Sequence, residues 1–333
     1  MTLTNLKTVL ASFLRGNYDI LVAMILKSEA YKHTVDSVNT FLESYFATQI
    51  EAAKKVDASY ERLWQTMRTV TKSGGKRMRP YLTTLAYQLS PDNDKKRILP
   101  VAVAHELLHT AVLMHDDIID HDLVRHGTKN ISGLYNDLYR TYDGEESLHY
   151  ANSAAILSGD LLISAAYTLI VNSEFEIENK LDALRLMSVS IFDVVGGELM
   201  DVESSFILDH EYDPLVVYKY KTASYSFVGP LLSGAVLGGA DKKTQDALRL
   251  FGQNLGIAFQ LVDDLIGVFG NETKTGKTTV GDLQEGKQTY LIKSFYKLAS
   301  AQQRRSFDAL FGNKTADASA IQTLRQVIIE SGA

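Results

Sequence analysis

The sequence predicts an all-α fold of about a dozen helices in one domain, and three observations carry that expectation. Almost every window repeats its apolar residues with the 3.6-residue helical period, and no run alternates apolar and polar residues as a half-buried strand would. Only five prolines interrupt 333 residues, and the polar breaks between periodic segments are short.

Taken in order, the opening "MTLTNLKTVLASFLRGNYDILVAMILKSEA" mixes apolar and polar residues at helical spacing. It lacks the basic start and unbroken apolar core of a signal peptide, so residues 1–40 are expected to form an amphipathic helical extension before a domain at 41–333. "VNTFLESYFATQIEAAKKVDASYERLWQTMRTV" follows, then the break "TKSGGK" and "ILPVAVAHELLHTAVLMHD". After "RTYDGEES" come "ANSAAILSGDLLISAAYTLIV" and "LDALRLMSVSIFDVVGGELMDVE". The uncharged stretch Ser224 to Ala240 is shorter than the ~20 residues of a spanning helix and contains Pro230, so a buried helix pair is expected and no membrane span. "DALRLFGQNLGIAFQLVDDLIGVF" and the break "GNETKTGKTTVGD" complete the pattern, with no interdomain linker or short repeat.

Composition narrows the function. An apolar share of 45% suffices for a sizeable core, and a net charge of −6 without basic tracts argues against a general nucleic-acid binder. With no cysteine, disulfides, thiolate metal sites and cysteine nucleophiles are excluded, and a cytoplasmic setting is expected.

Two acidic stretches raise the chemical question. In "HDDIIDHDLVRHGT", Asp116, Asp117 and Asp120 fall within an arc of about 100° if the helix continues, with His109 two turns earlier on the same face and His105 a turn before that. Such carboxylates repel unless a cation holds them, and magnesium suits oxygen ligands. "FQLVDDLIG" repeats the theme with Asp263 and Asp264, Gln260 one turn back, and a lysine-rich segment just after. Two acidic helix ends trailed by basic residues suggest ions bridging carboxylates to a phosphate-rich ligand. "SGGKRMRP" adds Lys76, Arg77 and Arg79 behind glycines that let backbone approach a ligand. Singly, each stretch reads equally well as an acidic helix end or a surface turn; together they do not.

In order, "GGKRMRP", "ELLHTAVLMHDDIIDHDLVRHGT", "LSGDLLISAA", "YKTASY", "FQLVDDLIG" and "GKTTVGDLQEGKQTYL" resemble the trans-isoprenyl diphosphate synthases, or polyprenyl synthetases, from about Leu42 to the C-terminus. The resemblance implies a helical isoprenoid synthase bundle around a central cavity, magnesium as cofactor, isopentenyl and allylic diphosphates as substrates, and a homodimer. At most peripheral membrane contact for product release is expected, and the charge balance already argues against a nucleic-acid partner. By the same resemblance, Lys76, Arg79, His109 and, in altered form, His126 contact isopentenyl diphosphate. Arg125, Lys221, Thr222, Gln260 and Lys277 hold the allylic diphosphate. Asp116, Asp117, Asp120, Asp263 and Asp264 bind metal, with Asp116, Asp120, Lys221 and Asp263 central to catalysis and Asp282 and Lys287 in support.

Two positions depart from the family pattern. His126 stands where a second arginine is usual, losing a permanent charge and a forked donor, and Gly267 stands where the second motif closes with a third aspartate. Chain length in this family responds to the residues four and five before the first aspartate, here Val112 and Ala111, with Leu108 a turn deeper. Neither of the first two is aromatic, so an open tunnel and a product longer than farnesyl are implied, with hexaprenyl to octaprenyl chains for a quinone favoured. The alternatives are a short-chain synthase, a catalytically weak or regulatory subunit of a heteromeric synthase, and a terpene cyclase. A cyclase would need an acidic-serine motif that "NDLYRTYDGE" lacks, because Arg140 occupies the serine position.

Overall fold

A computed structural model describes residues 28–90, 94–125, 127–141, 146–204, 213–270 and 279–333. The all-α expectation is borne out. Helix α1, Glu29–Lys54, begins at Ser28, whose side chain caps the Tyr31 amide, and it buries Val38, Leu42, Phe46 and Ile50 along one stripe. Position 40 therefore lies inside a continuous helix. Asp57 caps α2, Ala58–Lys72, and α3 runs over Met78–Tyr87.

Helix α4, Lys95–Ile119, is the axis of the fold. Every residue from Val101 to Leu108 is at most 2% exposed, so it is surrounded on all sides rather than amphipathic. It packs along α6, Ser147–Val171, with α3 on another flank and α5, Ile131–Tyr139, bracing α6. Both α4 and α6 are long and apolar enough to cross a membrane, but 67% of the most apolar window of α4 is buried inside the protein, as a core helix requires. For α6 the share is 44%, so more of that helix faces outward.

One small departure from the helical reading lies just after α4. Val124–Arg125 (β1) and Thr128–Lys129 (β2) pair antiparallel around Gly127, whose φ of +75° is the conformation a glycine adopts freely. Two-residue strands are too short to show an alternating pattern, which is why periodicity misses them.

Helix α7, Ile177–Ser204, leads toward α8, Pro214–Val217, which passes without a break into a π-helical stretch, Tyr218–Val228, and then α9, Gly229–Leu237. Eleven residues of π-helix are uncommon, and such turns gather at functional sites. Two glycines accommodate it. A Cβ on Gly197 of α7 would lie 2.2 Å from the Lys221 amide nitrogen, and one on Gly256 of α10, Lys242–Phe269, would lie 2.4 Å from Ala223 Cα. The sequence places these glycines where the backbones touch.

The C-terminal helices α11 (Gly281–Glu285), α12 (Tyr290–Leu298), α13 (Ala301–Asp308) and α14 (Ala318–Ser331) close a second, smaller core. Val268 from the end of α10 joins Leu283, Phe295, Phe307 and Leu324 there, with the Phe295 and Phe307 rings 4.3 Å apart. This packing holds the acidic end of α10 against α11.

Candidate active site

Asp116 stands in the last turn of α4 and Asp120 caps it, so the helix ends where its acids begin. A helix C-terminus disfavours negative charge, and burial adds to the cost, pushing Asp117 and Asp120 each up to about 6. Cations answer it. Arg125, delivered by β1, donates from Nη2 to Asp116 Oδ2 at 2.8 Å and from Nε to Asp117 Oδ1 at 2.5 Å. Burial opposes the charge of Arg125, but the two aspartates more than offset it and raise its pKa.

From the π-helical stretch, Lys221 Nζ reaches Asp201 at 2.6 Å, Glu198 at 3.0 Å and Asp116 at 3.8 Å. Burial works against its charge, while Asp201, Asp116 and Glu198 drive its pKa well up, so it is a permanent cation. Burial likewise raises Glu198. Lys287, after α11, lies 3.8 Å from Asp120 and 3.3 Å from Glu285. Asp116, Asp120, Arg125, Lys221, Asp263 and Lys287 thus line one cavity of about 310 Å³, joined by Glu198, Asp201, Asp282, Val112 and Phe259. It is a charged chamber with an apolar wall.

The second motif divides its labour. Asp263 faces the cavity. Asp264 also lines it, but its two oxygens accept from Gln260 Nε2 at 2.9 Å and from the Tyr218 hydroxyl. Thr222 donates to Gln260 Oε1 at 2.7 Å, and the Tyr290 amide donates to Tyr218 at 2.7 Å. This chain ties the π-helical stretch to α10 and α12. At Gly267, a Cβ would sit 2.4 Å from Asp282 Oδ2. The carboxylate of Asp282 therefore occupies the space a side chain at 267 would need, and returns an acid to that end of the cavity.

A smaller cavity of about 80 Å³ adjoins the first, lined by Gly74, Gly75, Arg77, Glu106, His109 and Asp117, with Leu113 and Arg125 bordering both. Of the residues expected to meet isopentenyl diphosphate, His109 lines this cavity, whereas Arg79 lines the larger one and Lys76 is exposed beside them. Tyr225 connects the two sides: Arg79 Nη2 donates to its hydroxyl at 3.3 Å, and that oxygen lies 3.3 Å from His109 Nδ1. Arg79 also donates to Ser226 Oγ at 2.6 Å. His105 is wholly buried and depressed to about 3 by burial and Arg79, so it belongs to the core and stays neutral.

Some expectations are redistributed. Asp117 does not share a cavity with Asp116 and Asp120; it turns to the smaller one and to Arg125, because it stands about 100° round the helix from Asp116, whereas Asp120 stands only about 40° from it. The chain-length positions also separate. Val112 lines the cavity, but Ala111 and Leu108 are at most 1% exposed and do not, so the cavity stops at Val112 instead of running on as an open tunnel. His126 and Lys277 lie outside the described residues. Sequence reading missed Glu198, Asp201, Tyr218 and Tyr225. The i, i+3 spacing of Glu198 and Asp201 in "GGELMD" was a signal for one acidic face, and Tyr225 closes "YKTASY", whereas Tyr218 gave none.

Among the described residues no three acidic or histidine side chains converge to hold an ion by themselves. The donor set nonetheless suits magnesium, which takes one or two carboxylates and completes its shell with water and substrate phosphates.

Comparison with known proteins agrees with this geometry. The polyprenyl synthetase family matches residues 60–328. A geranylgeranyl diphosphate synthase of Sulfolobus acidocaldarius is 30% identical over 301 residues, covering 90% of this chain and 83% of its own. A geranylfarnesyl diphosphate synthase of Aeropyrum pernix is 32% identical over 268 residues, 79% of this chain and 78% of its own. The crystal structure of a Corynebacterium glutamicum geranylgeranyl pyrophosphate synthase, complexed with isoprenyl diphosphate and magnesium, superposes with a TM-score of 0.83 at 28% identity, over 92% of this chain and 88% of that one. Since the match spans both acidic helix ends and the lysine-bearing π-helical stretch between them, this chain belongs to the polyprenyl synthetase family.

Proposed function

We propose that the protein is a magnesium-dependent prenyltransferase that joins isopentenyl diphosphate to an allylic diphosphate, giving a trans-polyprenyl diphosphate longer than farnesyl. One observation carries the reading: the acidic ends of α4 and α10 face a single cavity that also carries the basic side chains of Arg79, Arg125, Lys221 and Lys287. Acids and bases in that arrangement suit a ligand carrying several negative oxygens, bound partly through cations and partly through metal.

Asp116, Asp120 and Asp263 would hold the ions, with Asp117, Asp264 and Asp282 supporting them from behind. Bound magnesium would neutralise the leaving diphosphate. Lys221, Arg125 and Lys287, with Thr222, Gln260 and Lys277, would hold the allylic diphosphate while its C1–O bond breaks, where fixed positive charge counts most. Lys76, Arg79 and His109 would present isopentenyl diphosphate so that its alkene attacks C1; the new C–C bond forms, and a proton leaves to the departing diphosphate. The apolar side of the cavity, Val112, Val194 and Phe259, would receive the tail.

The relatives named for geranylgeranyl and geranylfarnesyl products favour chains of that order over hexaprenyl to octaprenyl ones, and the cavity's end at Val112 agrees. Incubating the protein with farnesyl diphosphate, isopentenyl diphosphate and magnesium and sizing the products tests both parts. Chains beyond C15 are expected. No elongation by a homogeneous sample, with elongation restored by a second, different chain, would favour the regulatory-subunit reading.

A further inference from the structure

Arg77 is the one basic residue of "GGKRMRP" that the proposed reaction does not use. Its backbone φ is +49°, a left-handed conformation that side-chain-bearing residues adopt only when their surroundings enforce it. The guanidinium is buried, and its nitrogens engage three separate elements. Nε donates to Asn39 Oδ1 on α1 at 3.0 Å, Nη2 to the Thr71 carbonyl on α2 at 3.0 Å, and Nη1 to Glu106 Oε1 on α4 at 2.7 Å. Gly75, with φ +102°, leaves the space beside it, since a Cβ there would come 3.0 Å from Nη1. The Tyr31 hydroxyl, also on α1, donates to the carbonyl of Lys76.

A buried ion pair by itself says little about stability, because desolvation offsets its attraction. This pair does something else. The turn that carries Lys76 and leads into Arg79 is held from both sides, and the Arg77–Glu106 contact forms part of the wall of the smaller cavity beside His109. With its nitrogens turned to the protein, Arg77 acts through its neighbours.

We propose that Arg77 is a positioning residue for the isopentenyl diphosphate site: anchored by Asn39, Thr71 and Glu106, it sets the backbone of residues 75–79 so that Lys76 and Arg79 meet one diphosphate together. Helix α1, through Tyr31 and Asn39, becomes part of that substrate site. The inference rests on the proposed prenyl transfer.

The test titrates each substrate separately in steady-state assays and measures isopentenyl diphosphate binding by calorimetry, for Arg77→Lys, Asn39→Ala, Tyr31→Phe and the Asn39→Ala/Arg77→Lys pair. Arg77→Lys keeps the charge on Glu106 but loses the fork. Its KM for isopentenyl diphosphate should rise by about tenfold, with the KM for the allylic substrate unchanged within about twofold. Asn39 is exposed, so Asn39→Ala tests the same selectivity should Arg77→Lys fail to fold, and about a threefold rise is expected for the loss of one hydrogen bond. The double variant should fall short of the product of the two, because Asn39 acts through Arg77. A lowered melting temperature with both KM values unchanged, or with both raised in proportion, overturns the inference. So does a wild-type protein that binds no isopentenyl diphosphate; binding without turnover overturns the proposed reaction alone.

Discussion

Asp117 and Asp120 show what a single carboxylate costs at the end of a buried helix. Both sit at about 6, raised chiefly by burial above the ordinary 3.8, so between those values the folded protein holds more protons than the unfolded chain. In metal-free protein their contribution to stability therefore falls as pH rises through about 4 to 6, and a cation that binds the ionised forms recovers it. Added magnesium with inorganic diphosphate should raise the melting temperature markedly at pH 7.5 and little at pH 5. Equal shifts at both pH values would mean that the ions bind elsewhere. Val112 belongs to the same scale. Because it lines the cavity, Val112→Phe should shorten the product without loss of stability. Ala111→Phe forces a ring into a fully buried position and should cost about 1–3 kcal/mol as well, read in a denaturant melt. Unchanged product lengths in both variants would place the floor of the cavity on another element.

Among the elements, the π-helical stretch matters most, since Lys221 and Thr222 point from it toward the acids of α4 and α10. Gly197 and Gly256 let their helices approach it so closely that any side chain there collides with its backbone. Gly256→Val should lower turnover by roughly two orders of magnitude, on the scale set by a misplacement of about 1 Å at a reacting group. Circular dichroism should show the helices retained; full turnover would mean that Lys221 does not depend on this packing. The C-terminal helices contribute through burial. Phe307 is fully enclosed, and Phe307→Ala should cost about 3–5 kcal/mol and loosen the acidic end of α10 that rests on that core.

For the whole molecule, α6 leaves Tyr150, Ile156, Leu157 and Val171 between 46% and 57% exposed on the side turned away from its core contacts. An apolar face of that kind fits the homodimer implied by the family resemblance. Sedimentation should show a dimer, and Leu157→Glu with Ile156→Lys should dissociate it; a wild-type monomer at micromolar concentration would count against the pairing. How legible the molecule was depends on how far apart the interacting residues lie in the chain. The helices were readable because their period is local, as in α1, where Val38, Leu42, Phe46 and Ile50 recur by fours and are all buried. The short β-hairpin was not, because two paired residues leave no pattern.

The sequence by itself determined the helical class and the metal-suited chemistry of Asp116, Asp120 and Asp263, since residue type and helical spacing are properties of neighbours in the chain. Only the tertiary structure decided which groups share a cavity. It turned Asp117 toward Arg125, set both oxygens of Asp264 on Tyr218 and Gln260, brought Glu198 and Asp201 to Lys221, and put the carboxylate of Asp282 beside Gly267. Apart from the Asp117–Arg125 and Asp264–Gln260 pairs, those meetings join residues at least 15 positions apart. They are set by how helices pack, and no local period in the chain encodes that.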